Sequence, residues 1–232
     1  MIELIACDMA GTTIDEHADV YRALENAVRE TGVDVSPENL QIWMGAEKRE
    51  AITALIRLGG GKAEEQLVAE TFNRFRELLF SYYAQNPPVA LTGVVEAFEI
   101  LAKQGVKIAL TTGFSRDVAT DLLNGLGWRV GEGRLLDAVV TADEVAAGRP
   151  APYMIHRVME QTGVLDVAKV IAVGDTVNDL QAATNAGAIA VGVLTGKLGR
   201  ADLELHPHDA ILEGVRELPD FMAQLGAARV QA

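Results

Sequence analysis

The sequence MIELIACDMAGTTID, residues 1–15, decides the fold of this chain. Its apolar, β-branched run before Asp8 is typical of a short strand buried in a sheet. The run stops at Asp8, and Gly11 then lets the backbone turn sharply and expose amide groups to an anion. Open α/β sheets bind their ligands at the carboxyl ends of strands. We therefore predict that Asp8 faces a ligand; the alternative is that Asp8 only caps a turn.

The rest of the chain divides into a helical block and an alternating block. Residues 16–88 contain four predicted helices and no predicted strand, and this block ends at Asn86-Pro87-Pro88. Beyond it, helices alternate with short apolar strands, which predicts a parallel sheet covered by helices on both faces. The first strand must join the same sheet. We therefore predict an α/β, doubly wound, Rossmann-like core of residues 1–15 and 89–232, with an inserted all-helical cap of residues 16–88.

The composition excludes several classes of function. The chain has 232 residues, 49% of them hydrophobic, which is enough for a sizeable core. Its 20 basic and 33 acidic residues give a formal net charge of −13, which argues against nucleic acid or an anionic membrane as a partner. Cys7 is the one cysteine of the sequence, so no disulfide forms within the chain. Because no leader or membrane-spanning apolar run is present, we expect a cytoplasmic protein, either a monomer or a homodimer.

Four predicted strand ends carry polar residues that suit phosphate and metal chemistry. These residues are Asp8, Thr112, Arg149 and Asp175, each at the carboxyl side of a strand or in the loop that follows. In a parallel sheet those loops share one edge. Carboxylates that meet there repel each other, so either one of them is protonated or a metal ion lies between them. Oxygen ligands suit Mg²⁺, and the backbone carbonyl of Ala10 can contribute without a side chain.

The strand-end residues belong to four short motifs that resemble a known superfamily. The motifs are Asp8-x-Ala10-Gly11-Thr12, Thr112-Gly113, Gly148-Arg149-Pro150 and Gly174-Asp175-Thr176-x-x-Asp179. In order and spacing they resemble the four motifs of the haloacid dehalogenase superfamily, and the insert resembles that superfamily's helical cap. Ala10 stands where an aspartate is usual, and Arg149 stands where a lysine is usual. Both variants resemble the phosphonoacetaldehyde hydrolases, or phosphonatases.

The resemblance implies a role for each motif residue. Asp8 would be the nucleophile that forms an aspartyl-phosphate, and Arg149 would balance the negative charge with a fork that suits phosphate. Thr112 and Gly113 would hold the phosphoryl oxygens. Further substrate contacts would come from Gly11, Thr12 and Gly45. The Mg²⁺ ligands would be Asp8, the carbonyl of Ala10 and Asp175, with Asp179 as a further ligand or a neighbour of one.

Ala10 bears on which leaving group the site can release. Phosphatases of this superfamily use the aspartate at this position as a general acid, and losing a general acid costs ~10²–10⁴-fold in rate. Phosphonatases instead release carbon as an enamine, through a Schiff base on a cap lysine, so that they need no acid there. Lys48, in Met44-Gly45-Ala46-Glu47-Lys48, matches the phosphonatase lysine. The alternative is that Lys48 is a solvent-exposed residue at the start of a helix.

Three residues depart from the phosphonatase pattern. Ala51 stands where those enzymes have a histidine, Phe114 where they have a tyrosine, and Ala18 where they have a cysteine. We predict a Mg²⁺-dependent hydrolase that acts on a small phosphonate or phosphate ester, with Lys48 as a Schiff-base residue in the phosphonatase form. A phosphomonoesterase of the phosphoglycolate-phosphatase type, with Lys48 as a plain charge, is the first alternative. A non-catalytic binder of a phosphorylated ligand is the second. The sequence does not identify the carbon skeleton of the substrate.

Overall fold

A six-stranded parallel sheet forms the centre of the structure, which is a computed structural model that describes residues 1–230. The strands are β1 (Leu4–Asp8), β2 (Ile14–Asp15), β3 (Val89–Ala90), β4 (Lys107–Thr112), β5 (Ala138–Thr141), β6 (Val170–Gly174), β7 (Ile189–Val193) and β8 (Ala210–Leu212). The sheet has the strand order β5-β4-β1-β6-β7-β8. The first strand therefore lies in the middle of the sheet, between β4 and β6.

Both faces of the central strand are buried. Successive side chains of a strand point to opposite faces of the sheet. Ile5 and Cys7 pack into one hydrophobic cluster, whereas Leu4 and Ala6 pack into the other. Hydrophobic side chains on both faces are what a parallel sheet with two helical layers requires. The predicted doubly wound α/β class is confirmed.

The helices fall into two groups according to what they contact. The helices are α1 (Asp19–Arg29), α2 (Pro37–Ile42), α3 (Lys48–Leu58), α4 (Glu65–Gln85), α5 (Val94–Lys103), α6 (Arg116–Gly125), α7 (Tyr153–Thr162), α8 (Val177–Ala186), α9 (Arg200–Leu203) and α10 (Leu218–Val230). Helices α1, α3 and α4 pack on one another, and α2 packs on α3. Helices α5, α7 and α8 pack on the central sheet. Among residues 1–230, no helix combines the length and the apolarity needed to cross a bilayer.

A two-stranded antiparallel ribbon joins the ends of the helical segment. Ile14 pairs with Ala90 and Asp15 pairs with Val89. The sequence did not predict this ribbon or the one-turn helix α9, because such short elements show no hydrophobic periodicity. The ribbon lies at the two boundaries proposed for the cap, residues 15/16 and 88/89, and the domain division itself stays a prediction.

Candidate active site

The carboxyl edge of the sheet brings three strand ends next to one another. Asp8 is the last residue of β1, Thr112 is the last residue of β4, and Asp175 directly follows β6. Because β4, β1 and β6 are neighbours, these residues lie side by side at one edge. A cavity of about 10 Å³ opens there. The predicted site residues that line it are Asp8, Ala10, Gly45, Lys48, Thr112, Gly113 and Arg149.

Arg149 joins two carboxylates and a hydroxyl inside the protein. Its Nη1 lies 2.5 Å from Oδ1 of Asp8 and 2.9 Å from Oδ1 of Asp179, and its Nη2 donates to Oγ1 of Thr111 at 2.7 Å. All four side chains are buried. Burial raises the pKa of Asp8, and the charge of Arg149 opposes that rise. Sequence reasoning missed Thr111, although it directly precedes the predicted Thr112 at a strand end.

The backbone encloses the carboxylate of Asp175 closely. Oγ1 of Thr12 donates to Oδ1 of Asp175 at 2.8 Å. Thr12, which was predicted to contact the substrate, therefore binds the side chain of Asp175. A Cβ added to Gly11 would lie 2.6 Å from Oδ2 of Asp175, and one added to Gly196 would lie 1.9 Å from the same atom. Gly11 also has a φ of +86°, which favours glycine. Sequence analysis missed Gly196, which is distant in sequence from every motif.

Asp179 is engaged by protein groups on both carboxylate oxygens. Its Oδ2 accepts hydrogen bonds from the backbone N–H of Thr176 at 3.0 Å and from the Thr176 hydroxyl at 2.5 Å, and its Oδ1 pairs with Arg149. The Thr176 hydroxyl also accepts a hydrogen bond from the backbone N–H of Asp179 at 3.3 Å, so that Thr176 is the N-cap of α8. These contacts fit a residue that positions Arg149 and the start of α8.

The charges at this edge fit a divalent cation. Burial and the negative charge of Asp8 raise the pKa of Asp175 well above its usual value. Within residues 1–230, no group of three or more His, Cys, Asp or Glu side chains could hold a metal ion. A site here would rest on two carboxylates, a backbone carbonyl and water. Mg²⁺ suits that donor set because it takes oxygen ligands and keeps several of its waters.

Lys48 is buried in the same cavity, although it begins a surface helix. Its side chain is 4% exposed, so it is not a solvent-exposed residue. Its Nζ donates to the carbonyl of Ala46 at 2.9 Å and lies 5.5 Å from the centre of the Phe114 ring. Burial lowers the pKa of Lys48 to about 8, and the negative charges of Asp8 and Glu47 oppose that change. A lysine with such a pKa is a better nucleophile than one in water.

The loop before α3 lies directly on the core loops. We call residues 43–47 the cap loop. A Cβ on Gly45, whose φ is +75°, would lie 2.5 Å from Oγ1 of Thr176. A Cβ on Gly113 would lie 2.5 Å from the carbonyl oxygen of Ala46. Nδ2 of Asn178, in the first turn of α8, donates to the carbonyl of Met44 at 2.6 Å. Sequence analysis missed Asn178, although it lies inside the fourth motif.

The three departures from the phosphonatase pattern are located close to this site. Phe114 lines the cavity beside Lys48. Ala51 is fully buried in α3, and Ala18 precedes α1 with a φ of +59°. None of the three side chains can carry a proton. Proton transfer at Lys48 would therefore require another group.

Comparisons with known proteins give the family and the fold of the chain. The sequence model of the haloacid dehalogenase-like hydrolases matches residues 2–187. A phosphonoacetaldehyde hydrolase of Bacillus cereus (strain B4264) is 32% identical over 225 residues, which cover 90% of this chain and 83% of that protein. A solved hydrolase structure from Pseudomonas syringae has a TM-score of 0.85 at 22% identity, covering 97% of this chain and 99% of the other. A phosphonoacetaldehyde hydrolase-like protein of Oleispira antarctica has a TM-score of 0.80 at 23% identity, covering 96% and 92%. These two structures show that the fold is shared.

Proposed function

Because this chain belongs to the haloacid dehalogenase-like hydrolases and is related to the phosphonoacetaldehyde hydrolases, we propose that it cleaves the carbon–phosphorus bond of a small phosphonoaldehyde. The observation that supports this proposal is the burial of Lys48 in the same cavity as Asp8. With a pKa of about 8, roughly a tenth of the Lys48 side chains are neutral at pH 7. That neutral amine can attack an aldehyde.

Lys48 and Asp8 divide the reaction between carbon and phosphorus. The Lys48 nitrogen adds to the aldehyde carbon and loses water, which leaves a protonated imine. Asp8 attacks phosphorus, and the electron pair of the carbon–phosphorus bond passes into the imine to give an enamine. The enamine then takes a proton and is hydrolysed to release the aldehyde. Water hydrolyses the aspartyl-phosphate to release phosphate, which regenerates Asp8.

The surrounding residues hold the nucleophile and the phosphoryl group. Arg149 fixes one oxygen of Asp8 and leaves the other oxygen to attack. Thr112 and the N–H of Gly113 hold the phosphoryl oxygens, as donors placed where charge develops. Asp179 and Thr111 keep the Arg149 fork in place. We assign Asp179 to this positioning role, not to direct metal ligation.

The metal site belongs to the same proposal. Asp8, the carbonyl of Ala10 and Asp175 would hold Mg²⁺, and this ion would supply positive charge that offsets the charge of the phosphoryl group. Thr12 orients Asp175 for that purpose through its hydroxyl. The close approach of Gly11 and Gly196 keeps other side chains away from the carboxylate.

The site cavity is too small for the substrate while the cap loop lies on the core. A volume of about 10 Å³ holds roughly one water molecule. The cap loop therefore has to move away from Gly113 and Thr176 when the substrate enters. Its return places Lys48 beside Asp8, because Lys48 begins α3 directly after the cap loop.

Borohydride trapping tests this function. Phosphonoacetaldehyde and Mg²⁺ are added to the wild-type protein with borohydride, and peptide mass spectrometry locates the adduct. We expect an adduct on Lys48, and we expect Lys48→Arg to lose both the adduct and phosphate release, since a guanidinium cannot form the imine. Lys62→Arg, which changes an exposed lysine of the helical segment, is the matched control and should behave like the wild type.

The same experiment identifies the alternative. If Lys48→Arg releases phosphate as fast as the wild type and no adduct forms, the Schiff-base mechanism is wrong. Release of phosphate from phosphate esters but not from phosphonoacetaldehyde would then assign the protein to the phosphomonoesterases, with Lys48 as a contact for the substrate anion.

A further inference from the structure

The proposed reaction moves protons at Lys48, yet the residues at the positions where the phosphonatase pattern predicts a proton carrier cannot carry them. Ala10 and Ala51 have no ionisable group, and Phe114 has no hydroxyl. Formation of the imine removes two protons from the Lys48 nitrogen, and the enamine takes one proton on carbon. Positioned acids and bases contribute ~10²–10⁴-fold to such steps. Outside the four motifs two carboxyl side chains are buried; Asp19 pairs with Arg22, and the other has no ion pair within residues 1–230.

That carboxyl is Glu16, which lies between the ribbon and α1. Its side chain is 4% exposed. Its Oε2 accepts a hydrogen bond from the backbone N–H of Val20 at 2.7 Å, and Val20 lines the site cavity together with Lys48. The hydrogen bond therefore holds the Glu16 carboxyl against the backbone of a residue that lines the cavity of the Lys48 amine.

Glu16 also lines a second cavity that adjoins the first. This second cavity has a volume of about 250 Å³ and is lined by Ala10 and Tyr21, which line the site cavity as well. A space of this size has room for several water molecules. Glu16 thus reaches a space that water can fill and that adjoins the cavity of the Lys48 amine.

The charged and polar groups around Glu16 come from several elements. Lys48 of α3 and Tyr83 of α4 face it, and Asp15 and Asp19 lie on its own segment. Burial raises the pKa of Glu16 to about 7, while the N–H of Val20 and the charge of Lys48 oppose the rise. Oδ2 of Asp19 is buried and has no hydrogen-bond partner among residues 1–230. A water molecule bonded there could extend a hydrogen-bonded chain from Glu16.

We propose that Glu16 is the proton-transfer residue that serves Lys48, an inference that rests on the proposed carbon–phosphorus cleavage. The Glu16 carboxylate takes one proton from the Lys48 ammonium through a bridging water, and the neutral amine attacks the aldehyde. A second nitrogen proton passes to the aldehyde oxygen, which becomes the carbinolamine hydroxyl. Glu16 returns the first proton to this hydroxyl, which leaves as water, and a protonated imine with one N–H remains. After the carbon–phosphorus bond breaks, Glu16 takes a proton from water in the second cavity and gives it to the enamine carbon, and the hydroxide left from that water adds to the imine carbon. Glu16 is a carboxylate again when the resulting carbinolamine releases the aldehyde and the Lys48 amine.

Glu16→Gln tests this role, because glutamine keeps an oxygen that can accept from Val20 but cannot titrate. We expect kcat to fall by about 10²-fold or more with little change in KM. The wild-type pH–rate profile should contain an ionisation near pH 7 that the variant lacks. Time-resolved borohydride trapping should show slower formation of the Lys48 adduct. Glu16→Asp, which keeps a carboxyl, should retain the ionisation near pH 7 at a reduced kcat.

Glu47→Gln is the matched control. Glu47 is also a glutamate that accepts backbone N–H groups at a helix start, and its charge also acts on Lys48. If loss of a nearby negative charge were the whole effect, both Gln variants would behave alike. We expect Glu47→Gln to keep the ionisation near pH 7.

The outcomes separate the two proposals. If the wild-type protein forms no adduct and releases no phosphate from phosphonoacetaldehyde, both proposals are overturned. If the wild type forms the adduct and Glu16→Gln keeps its kcat and its pH profile, the role of Glu16 alone is overturned. Thermal melting identifies a variant that fails to fold. Should Glu16→Gln fail in this way, the pH profile of Glu16→Asp decides: an ionisation near pH 7 supports the role, and its absence overturns it.

Discussion

Replacing Lys48 by methionine should make the protein more stable at pH 7 while it abolishes carbon–phosphorus cleavage. Folding lowers the pKa of Lys48 from 10.5 to about 8 because the ammonium loses its water. A pKa lower by about 2.5, at about 1.4 kcal/mol for each unit, corresponds to about 3 kcal/mol of lost folding stability. Methionine has nearly the same length and carries no charge, so its burial does not lower the folding stability in this way.

Two contacts reduce the expected gain. The variant loses the hydrogen bond from Nζ to the carbonyl of Ala46, which is worth about 1 kcal/mol. It also loses the contact of the ammonium with the Phe114 ring. We therefore expect Lys48→Met to raise the free energy of unfolding by about 2 kcal/mol at pH 7.

The pH dependence of this gain follows from the direction of the pKa change. The unfolded chain binds the Lys48 proton more tightly than the folded protein does, so folding is penalised in full below pH 8. The penalty falls as the pH rises from about 8 to 10.5, where the unfolded chain also loses the proton. The advantage of the variant over the wild type should therefore shrink by pH 10.

Urea unfolding of both proteins at pH 7 and pH 10 measures these differences. Lys62→Met, at an exposed lysine, is the control, and its free energy of unfolding should stay within about 0.5 kcal/mol of the wild type. A Lys48→Met protein that is less stable than the wild type at pH 7 would refute the reasoning. So would an advantage of the same size at both pH values.

Three further predictions concern the nucleophile, the cap loop and the metal. Asp8→Asn should lower the rate of phosphate release by about 10⁴-fold or more without unfolding the protein. A phosphate assay and thermal melting measure these two properties. Undiminished turnover would exclude Asp8 as the nucleophile. Gly45→Ala should lower kcat/KM about tenfold, because a Cβ there adds backbone strain and meets Thr176. Gly60→Ala is the control and should leave kcat/KM unchanged, because Gly60 has a similar φ of +85° but lies in open space. Equal losses in both variants would contradict the proposal that the cap loop closes on Thr176. Excess chelator should remove activity, and added Mg²⁺ should restore it. Asp175→Ala should need a higher Mg²⁺ concentration than the wild type to reach its full activity. Full activity in excess chelator would exclude the metal site.

The fold could be predicted because its signals are local. The apolar run predicts strand β1, and the four helices predicted within residues 16–88 are present as α1 to α4. Serine followed by proline is typical of a helix start, and at the start of α2 the Ser36 side chain accepts from the N–H of Asn39. Chain order and the alternation of strands with helices then predicted the parallel sheet. The ribbon of β2 and β3 escaped prediction because two-residue strands depend on partners far along the chain.

The sequence by itself determined which residues reach the carboxyl edge, since a residue at the end of a strand has its place set by chain order and strand direction. The tertiary structure alone decided which of those groups lose their water and which groups pair. Arg149 meets Asp8 across 141 positions, and Thr12 meets Asp175 across 163. Burial lowers the pKa of Lys48 and raises that of Glu16, although their neighbours in sequence look like those of ordinary surface residues. Desolvation depends on everything packed around a group, and it cannot be inferred from the spacing of residues along the chain.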